Sequence, residues 1–571
     1  MTECPVLSDA LLRDLTGIAG RRHVILGPDA TLAYRRGFRS GAGAAACVVR
    51  PGTLLEFWHV LERCVAHDLA LIVQAANTGL TGGSTPDPAG YDRPVVIINV
   101  MRIRSIVPIH GGDQVVCFPG ATLNALEQML RPLGREPHSV IGSSCFGASV
   151  IGGVCNNSGG SLVRRGVAYT QCALFARSTP GGGLELVNHL GIDLGNDPVA
   201  MLERLDRGDF DHRPGKPADR AASDTAYARQ VRQIDADTPA RHNADPRCLF
   251  EASGSAGKLA VFAVRLDTFP LERATRTFHI GCNDPASLAD LRRTLLRGDA
   301  ALPIAAEYMH AEAFDIADRY GKDQFLLIER LGTDRLPAFF ALKTRLDAFL
   351  ARQRWLPANM VDRLLHAAGR LSPDHLPKRL RAWRARFAHH LLLKIPEDMA
   401  SDTRTALARW QAEHADADVY ECTEAEARKA FLHRFVTAGA AARYEAIHPD
   451  RVAGILPLDI ALRRNDRDWF ETLPPEIASK LVHRIYYGHF LCHVLHQDYI
   501  VAKGEDVAAL KNRMLEALDV RGARYPAEHN VGHMYRAPPV LADFYRSLDP
   551  ANCFNPGIGH TSPHRDHAAH G

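Results

Sequence analysis

The sequence predicts an α+β fold from three observations. The chain has 571 residues, short apolar runs alternate with amphipathic stretches from residue 45 to residue 150, and two glycine-rich loops lie in or just beyond that region. A chain of this length has room for roughly three to five domains. Its 46% hydrophobic and 23% charged residues exclude a disordered protein, and its net charge of +3 gives no overall argument for nucleic acid binding.

The elements follow from local periodicity. Helix 54–67 places Leu55, Trp58, Leu61 and Val65 on one face, and a second helix is predicted over 123–133. Apolar runs that end at turn residues predict the strands. A boundary is expected near residue 270, followed by a helical, basic region over 311–400 and by helices with few strands over 400–520. The predicted strands are 46–49, 69–73, 95–100, 114–118 and 257–269.

The N-terminus and the cysteines indicate the compartment. Residues 1–20 are interrupted by charged side chains and contain no apolar core of a signal peptide. The twelve cysteines form no closely spaced pairs, which is typical of reduced thiols in a cytosolic protein. No stretch approaches the roughly 18 apolar residues that a membrane span needs. We therefore expect a cytosolic chain without a membrane-spanning segment.

Two glycine-rich loops are candidates for a cofactor site. Residues 74–84 directly follow a predicted strand, and their small residues let backbone N–H groups turn towards one phosphate-binding concavity. Residues 142–160 contain small residues that let a flat ligand approach the backbone. Each loop alone could equally be a glycine-rich turn, but two such loops about 60 residues apart favour a ligand site.

These loops resemble the two-subdomain FAD-binding domain of the vanillyl-alcohol oxidase/PCMH type. Further runs resemble the bacterial quinone-dependent D-lactate dehydrogenases, and the resemblance extends from about residue 30 to about residue 560. It implies an FAD-binding domain over 1–269, completed by 520–571. It also implies an α+β cap domain over 270–310 and 400–519 and a helical basic membrane-binding segment over 311–399. The runs are 34–41, 74–80, 133–144, 147–160, 188–195, 431–435, 459–466 and 525–533.

The same resemblance implies where a non-covalently bound FAD would lie. In that fold the first loop holds the pyrophosphate, and the second follows the ribityl chain and the isoalloxazine ring. The residues implied to bind FAD are Ala75, Ala76, Asn77, Thr78, Gly79, Gly83, Ser84, Gly142, Ser149, Gly159 and Val261.

Oxidation of a 2-hydroxy acid requires a base for the hydroxyl proton, a flavin that accepts a hydride from C2, and a cation that holds the carboxylate. His529 is the candidate base because the pKa of histidine suits proton transfer near neutral pH. Arg434 and Arg443 are candidates for the carboxylate clamp, since a guanidinium can form two parallel hydrogen bonds to a carboxylate. A surface salt bridge is the alternative for each arginine.

A divalent metal site is a further hypothesis. The spacing of His489, His496 and Glu528 is similar to that of related 2-hydroxyglutarate and glycolate dehydrogenases, in which two histidines and a glutamate bind a metal ion. The apolar residues between the two histidines depart from that pattern. The alternative is a hydrogen-bonded cluster near the flavin.

Basic residues are concentrated between residues 343 and 394. This segment has twelve Lys and Arg residues and three acids, a net charge of +9. Leu380, Trp383 and Phe387 have helical spacing with arginines between them, which suits an anionic phospholipid surface. An ordinary solvated helix face is an alternative, and a nucleic acid groove is a less favoured one because no binding motif is present.

Together these observations predict a peripheral enzyme on the cytoplasmic face of the cell inner membrane. We expect it to oxidise D-lactate to pyruvate with FAD and to reduce a membrane quinone, without a nucleic acid partner. One alternative is a flavin dehydrogenase for another 2-hydroxy acid, such as 2-hydroxyglutarate or glycolate. The other is a protein without catalytic activity that binds a membrane or nucleic acid.

Overall fold

The computed structural model describes residues 7–568, except 89, 139–146, 216–218, 298–300 and all of 333–358 other than 339, 343, 346 and 350. Gly142 and much of the basic segment lie outside these residues. Among them, every helix is too short or too polar to cross a bilayer.

The N-terminal part contains two sheets. In the first, β2, β3 and β4 run parallel in the order β1-β2-β4-β3, and the buried residues of the helix after β2 cover the sheet. The second sheet is antiparallel in the order β5-β6-β10-β8-β9. The strands are β1 (Val24–Ile25), β2 (Cys47–Val49), β3 (Ala70–Gln74), β4 (Val95–Asn99), β5 (Ile106–Ile109), β6 (Gln114–Cys117), β7 (Arg135–Glu136), β8 (Ala173–Ser178), β9 (Leu184–Asn188), β10 (Ala260–Asp267) and β11 (Phe269–Pro270), with β7 paired to β11.

Most helices before residue 300 begin at a capping side chain or a proline. Thr53 caps the third helix by accepting a hydrogen bond from the Glu56 N–H at 3.0 Å. Leu54, Phe57 and Leu61 of that helix are fully buried, so its core face is rotated slightly from the predicted one. The helices are α1 (Asp9–Ala19), α2 (Pro28–Arg35), α3 (Leu54–Ala66), α4 (Leu123–Leu130), α5 (Val150–Cys155), α6 (Pro198–Arg207), α7 (Tyr227–Gln230) and α8 (Pro285–Leu296).

Most of the remaining chain, from β12 to β18, forms a cap on an antiparallel sheet with the order β15-β12-β14-β13-β17-β18-β16. The strands are β12 (Thr275–Cys282), β13 (Ala305–His310), β14 (His389–Pro396), β15 (Asp418–Glu421), β16 (Val452–Ala461), β17 (Leu481–His489) and β18 (Val494–Ala502). The helices are α9 (Ala311–Tyr320), α10 (Lys322–Leu331), α11 (Met360–Leu371), α12 (Lys378–Arg386), α13 (Ala400–Glu413), α14 (Glu424–Phe435), α15 (Thr437–Ile447), α16 (Pro475–Ala478), α17 (Val507–Val520) and α18 (Pro539–Leu548).

The cap differs from the prediction in two places. Residues 400–520 were expected to contain few strands, but β16, β17 and β18 are among the longest strands of the sheet. The basic segment was expected to be helical through residue 399, but β14 lies between β12 and β13 and is almost entirely buried. Strands buried on both faces lack the apolar–polar alternation that identifies a strand in sequence.

The expectation that the apolar side of α12 faces lipid is wrong. Leu380, Trp383 and Phe387 are buried against the cap sheet, where they contact Leu392 and Tyr420. The arginines of this helix are bound to acids of the same chain: Arg379 to Glu426, Arg381 to Asp318 and Asp374, Arg384 to Asp315, and Arg386 to Asp418. Amphipathic spacing is the same for a helix on a protein core and a helix on a membrane, so only packing could distinguish them.

The C-terminus returns to the first sheet. The Asn555 N–H donates to the Leu71 carbonyl at 2.7 Å, directly beside β3. This return is held by a buried ion pair, in which Lys258 Nζ lies 3.7 Å from Asp549 Oδ2 and both side chains are fully buried. The Asp549 carboxylate also accepts hydrogen bonds from the Cys553 and Phe554 N–H groups at 3.0 and 2.7 Å.

Asp549→Ala is therefore expected to destabilise the flavin-side part of the fold by about 3–5 kcal/mol, because it leaves Lys258 buried without its partner charge. Urea unfolding measures the loss. Asp543→Ala, which breaks the exposed pair with Arg546, is the matched control and should leave the free energy of unfolding unchanged. An equal loss of unfolding free energy in the two variants would contradict this account of Asp549.

Candidate active site

The register of four cap strands brings a set of polar side chains to one face of the sheet. Glu307 on β13 pairs directly with His489 on β17, and Asp459 on β16 pairs directly with His496 on β18. Residues opposite each other in antiparallel strands project to the same face. The carboxylates therefore lie beside the histidines.

The two predicted metal-binding histidines lie on either side of a hairpin. Phe490–Cys492 form a single 3₁₀ turn between β17 and β18. This turn brings His489 Nε2 to 3.4 Å from His496 Nε2. The seven-residue spacing therefore reflects neither two turns of a helix nor one continuous strand.

Glu528 reaches the same point from the loop after α17. Its Oε2 lies 3.5 Å from His489 Nε2, and its other oxygen accepts a hydrogen bond from Arg241. The Glu528 N–H donates to Asp459 Oδ2 at 2.8 Å, which fixes the loop against the cap sheet. Ligand atoms of His489, His496 and Glu528 lie within 4.8 Å of one another.

Buried charges interact strongly here because little water screens them. Burial lowers the pKa of His489, but the carboxylates of Glu307 and Glu528 outweigh it and raise that pKa to about 10. Burial raises the pKa of Glu528, but Arg241 and His489 outweigh this effect and hold the pKa below its ordinary value. The carboxylates of Glu307 and Glu528 therefore stabilise positive charge at the position of His489.

His529 adjoins this cluster and retains access to solvent. Its Nε2 lies 3.9 Å from Asp459 Oδ2, and about a third of the side chain is exposed. Asp459 thus faces both His496, at 3.0 Å from Nδ1, and His529. The His529 side chain is more exposed than that of His496, so His529 is the more accessible of these two to a small ligand.

Arg434 lies at the cluster, as the clamp hypothesis requires. It occupies the last turn of α14, and its Nη2 is 3.0 Å from Glu307 Oε2. Its guanidinium lies over the Tyr487 ring, 4.5 Å from the centroid. Among the described residues, Arg434 Nε is one of the buried nitrogens without a hydrogen-bond partner, so a donor remains for a ligand.

Arg443 belongs to a different network. Its guanidinium lies 2.7 Å from Asp323 Oδ2 and 3.1 Å from Asp362 Oδ1, between α10, α11 and α15. It also donates to the Asp362 carbonyl at 2.7 Å. These bonds join helices of the cap and do not connect Arg443 to the cluster.

The first glycine-rich loop follows the end of β3 and is held open by side-chain bonds. Gln74 Nε2 donates to the carbonyls of Tyr34 and Ser84, at 2.8 and 2.7 Å. Ser84 Oγ donates to Asn77 Oδ1 at 2.8 Å, and Asn77 has a left-handed backbone with φ of 54°. Residues 75–79, including Ala75, Ala76, Thr78 and Gly79, remain partly or fully exposed, and a Cβ added at Gly79 would meet open space.

Both loops meet the cluster at glycines. A Cβ on Gly83 would collide with the amide of Asn530, and a Cβ on Gly159 would collide with Glu528 Oε1. Asn530 Nδ2 also donates to Asn156 Oδ1 of the second loop. The loop carrying Glu528 and His529 thus lies directly against both candidate cofactor loops.

Two family models and several known proteins match the chain. The model for an FAD binding domain matches residues 45–182, and the model for D-lactate dehydrogenase, membrane binding, matches residues 277–567. The quinone-dependent D-lactate dehydrogenase of Escherichia coli is 55% identical, over 98% of this chain and 97% of that protein. Its counterpart in Haemophilus influenzae is 52% identical, over 97% of this chain and 98% of that protein.

The chain belongs to the quinone-dependent D-lactate dehydrogenase family. It is an oxidoreductase with an FAD-binding domain, as the sequence predicted. The crystal structure of p-cresol methylhydroxylase with substrate bound has a TM-score of 0.59 at 12% identity and covers 98% of both chains. This likeness confirms the predicted vanillyl-alcohol oxidase/PCMH-type fold.

Within this family fold, the remaining predicted FAD residues lie around the second loop. Ser149 caps α5, where its Oγ accepts a hydrogen bond from the Gly152 N–H at 3.1 Å. Val261 is buried on β10, which lies beside β6 and β8 at the centre of the second sheet. The open first loop and this short capped helix fit an extended cofactor along the two loops.

Sequence reasoning missed the residues that surround the histidines. Glu307 and Arg241 are buried and bound to residues far away in sequence, 182 and 287 positions distant. A lone acid within an apolar strand, as at Glu307, was the available signal, since buried glutamates are almost always paired. Asp459 lay in one of the family-like runs without a stated role.

Proposed function

We propose that this chain oxidises D-lactate to pyruvate with FAD and transfers the electrons to a membrane quinone. The observation that carries the proposal is the contact between the flavin loops and a base-and-arginine cluster. Gly83 and Gly159 abut the 528–530 loop, and Arg434 lies across the same cluster. Family membership supports D-lactate and quinone as the reactants.

Arg434 is proposed to bind the substrate carboxylate. Glu307 holds one side of the guanidinium and Tyr487 supports its face, which leaves Nε to donate. A carboxylate bound by a fixed guanidinium has a defined orientation, which brings C2 into a reactive position. The first glycine-rich loop and the loop capped by Ser149 would hold the flavin, which would supply the hydride acceptor.

His529 is proposed to accept the proton of the substrate hydroxyl. It is the more exposed histidine of the cluster, and Asp459 near its Nε2 stabilises the positive charge that the ring then acquires. The bound flavin supplies the acceptor for the hydride released from C2. His529 and Arg434 thus have separate roles, one for the proton and one for orientation.

A divalent metal ion is proposed to bind His489, His496 and Glu528. Ligand atoms about 2.0–2.1 Å from a tetrahedral zinc ion lie roughly 3.3 Å apart. His489 Nε2 lies 3.4 Å from His496 Nε2 and 3.5 Å from Glu528 Oε2, and the ligand atoms of all three residues lie within 4.8 Å of one another. Each histidine has a carboxylate at its other ring nitrogen, Glu307 at 2.6 Å and Asp459 at 3.0 Å, which is the usual support of a metal-binding imidazole. A metal would favour loss of the hydroxyl proton.

We propose that the enzyme lies peripherally on the cytoplasmic face of the inner membrane and that α11, rather than α12, contacts the lipid surface. Leu364 and Leu371, seven residues apart on α11, are 61% and 88% exposed. Arg363 and Arg370 adjoin them and are also exposed. Leucines flanked by arginines fit an anionic phospholipid surface, where each arginine contributes about 1 kcal/mol. Quinone dissolved in the bilayer would then lie near the enzyme.

His529→Ala is expected to retain FAD but to slow flavin reduction by D-lactate at least about a hundredfold, because it removes the proton acceptor. Anaerobic stopped-flow absorbance near the flavin band measures the rate. His67→Ala, a change of an exposed histidine on the flavin domain, is the control and should reduce its flavin at the wild-type rate. A wild-type rate for His529→Ala would refute the base assignment.

The purified enzyme is expected to contain about one equivalent of a divalent metal ion, and His496→Ala should lose it while retaining FAD. Elemental analysis and the flavin spectrum measure the two occupancies. Dialysis against a chelator should slow flavin reduction, and the divalent ion should restore it. A metal-free wild-type enzyme with full activity would favour the hydrogen-bonded cluster instead.

The double variant Arg363→Glu/Arg370→Glu is expected to lose binding to vesicles that contain phosphatidylglycerol, because it reverses two charges beside the exposed leucines. Vesicle co-sedimentation measures binding, and reduction of a soluble dye should remain unchanged. Arg13→Glu/Arg63→Glu makes the same charge change at exposed positions of α1 and α3 and should still bind. Equal binding of both variants would exclude α11 as the membrane surface.

A further inference from the structure

Tyr487 connects the proposed clamp to a further buried acid. The Tyr487 ring lies under the Arg434 guanidinium, and its centroid is 5.5 Å from that of His496. The Tyr487 hydroxyl donates to Asp498 Oδ2 at 2.8 Å. Asp498 follows His496 by two residues on β18, so both side chains project from the same face of the sheet.

An arginine from the flavin-binding part reaches this acid. Arg39 Nη2 lies 3.6 Å from Asp498 Oδ1. The neighbouring Ser40 Oγ donates to the Leu80 carbonyl of the first flavin loop at 2.5 Å, which fixes Arg39 beside that loop. The Asp498 side chain is 4% exposed and that of Arg39 is 30% exposed. The pair thus joins the two parts of the molecule at the edge of the proposed substrate site.

This arrangement makes the edge of the site unfavourable for a second carboxylate. Arg39 is a cation at this edge that could bind a second carboxylate, but the negative charge of Asp498 already balances its positive charge. Glu445 also faces this arginine: burial raises the pKa of Glu445, and the positive charge of Arg39 opposes that shift. A dicarboxylic substrate would have to displace Asp498 or lie beside two acids, and like charges in a buried site repel strongly.

We propose that Asp498 is a specificity-determining residue, which restricts this enzyme to 2-hydroxy acids with one carboxylate by neutralising Arg39. The inference rests on the proposed function, because it assumes that Arg434 binds the first carboxylate. It assigns Asp498 the exclusion of dicarboxylic 2-hydroxy acids, for which D-2-hydroxyglutarate and D-malate are suitable probes.

Asp498→Asn tests the charge while retaining an oxygen that accepts the Tyr487 hydrogen bond. In the FAD-loaded enzyme, the ratio of kcat/KM for D-2-hydroxyglutarate to that for D-lactate should rise at least about tenfold, since Arg39 becomes free to bind the second carboxylate. The ratio of kcat/KM for D-malate to that for D-lactate should also rise. Asp498→Ser removes the same charge in a smaller side chain and provides a second variant if the asparagine enzyme does not fold.

Two controls separate charge from structure. Tyr487→Phe removes the hydrogen bond but keeps the Asp498–Arg39 pair, so it should give no gain with dicarboxylates. Arg39→Met combined with Asp498→Asn should abolish the gain, because the receiving cation is absent. A merely structural role for Asp498 would instead lower the activity with every substrate in the same proportion.

The outcomes distinguish the two levels of the proposal. An unchanged substrate ratio in Asp498→Asn and Asp498→Ser, with D-lactate still reducing the flavin, overturns only the role of Asp498. A wild-type enzyme whose flavin is reduced by D-2-hydroxyglutarate faster than by D-lactate contradicts both this inference and the proposed function.

Discussion

The candidate active site depends on the antiparallel register of β13, β17, β18 and β16. That register places Glu307 opposite His489 and Asp459 opposite His496. A shift of one residue in either pair would turn a carboxylate to the other face of the sheet, where the apolar core lies. The histidines would then be buried without the acids that balance their charge.

Buried ions in this site occur in compensating groups. Arg241 pairs with Glu528, Arg434 with Glu307, and Arg39 with Asp498. Removing a charge from water costs several kcal/mol, so each buried ion needs a partner close by. Arg434 and Glu307 both lie in the cap, whereas Arg39 lies in the flavin-binding part and Asp498 on the cap strand β18, so this last pair also joins the two parts of the molecule.

Local sequence signals predicted the parts of the site that are continuous in the chain. The glycine loops were recognisable because small residues let a ligand approach the backbone, and the structure shows that Gly83 and Gly159 also make room for Asn530 and Glu528. Arg434 and the Glu528–His529 pair were found through family-like runs. The basic helix α12 was misinterpreted because its periodicity is the same whether the apolar side meets lipid or Tyr420 and Leu392.

The sequence by itself determined the fold class, the family and the presence of an FAD-binding domain, because each of these leaves a local pattern or a continuous motif. Only the tertiary structure decided which charges meet. Glu307 and Arg241 pair with residues 182 and 287 positions away, and Arg39 with a residue more than 450 positions away. Such pairings follow from strand register and domain packing, which spacing along the chain does not encode. Packing likewise placed Arg443 among the cap helices and left Arg434 at the site, although both are arginines in the same helical region.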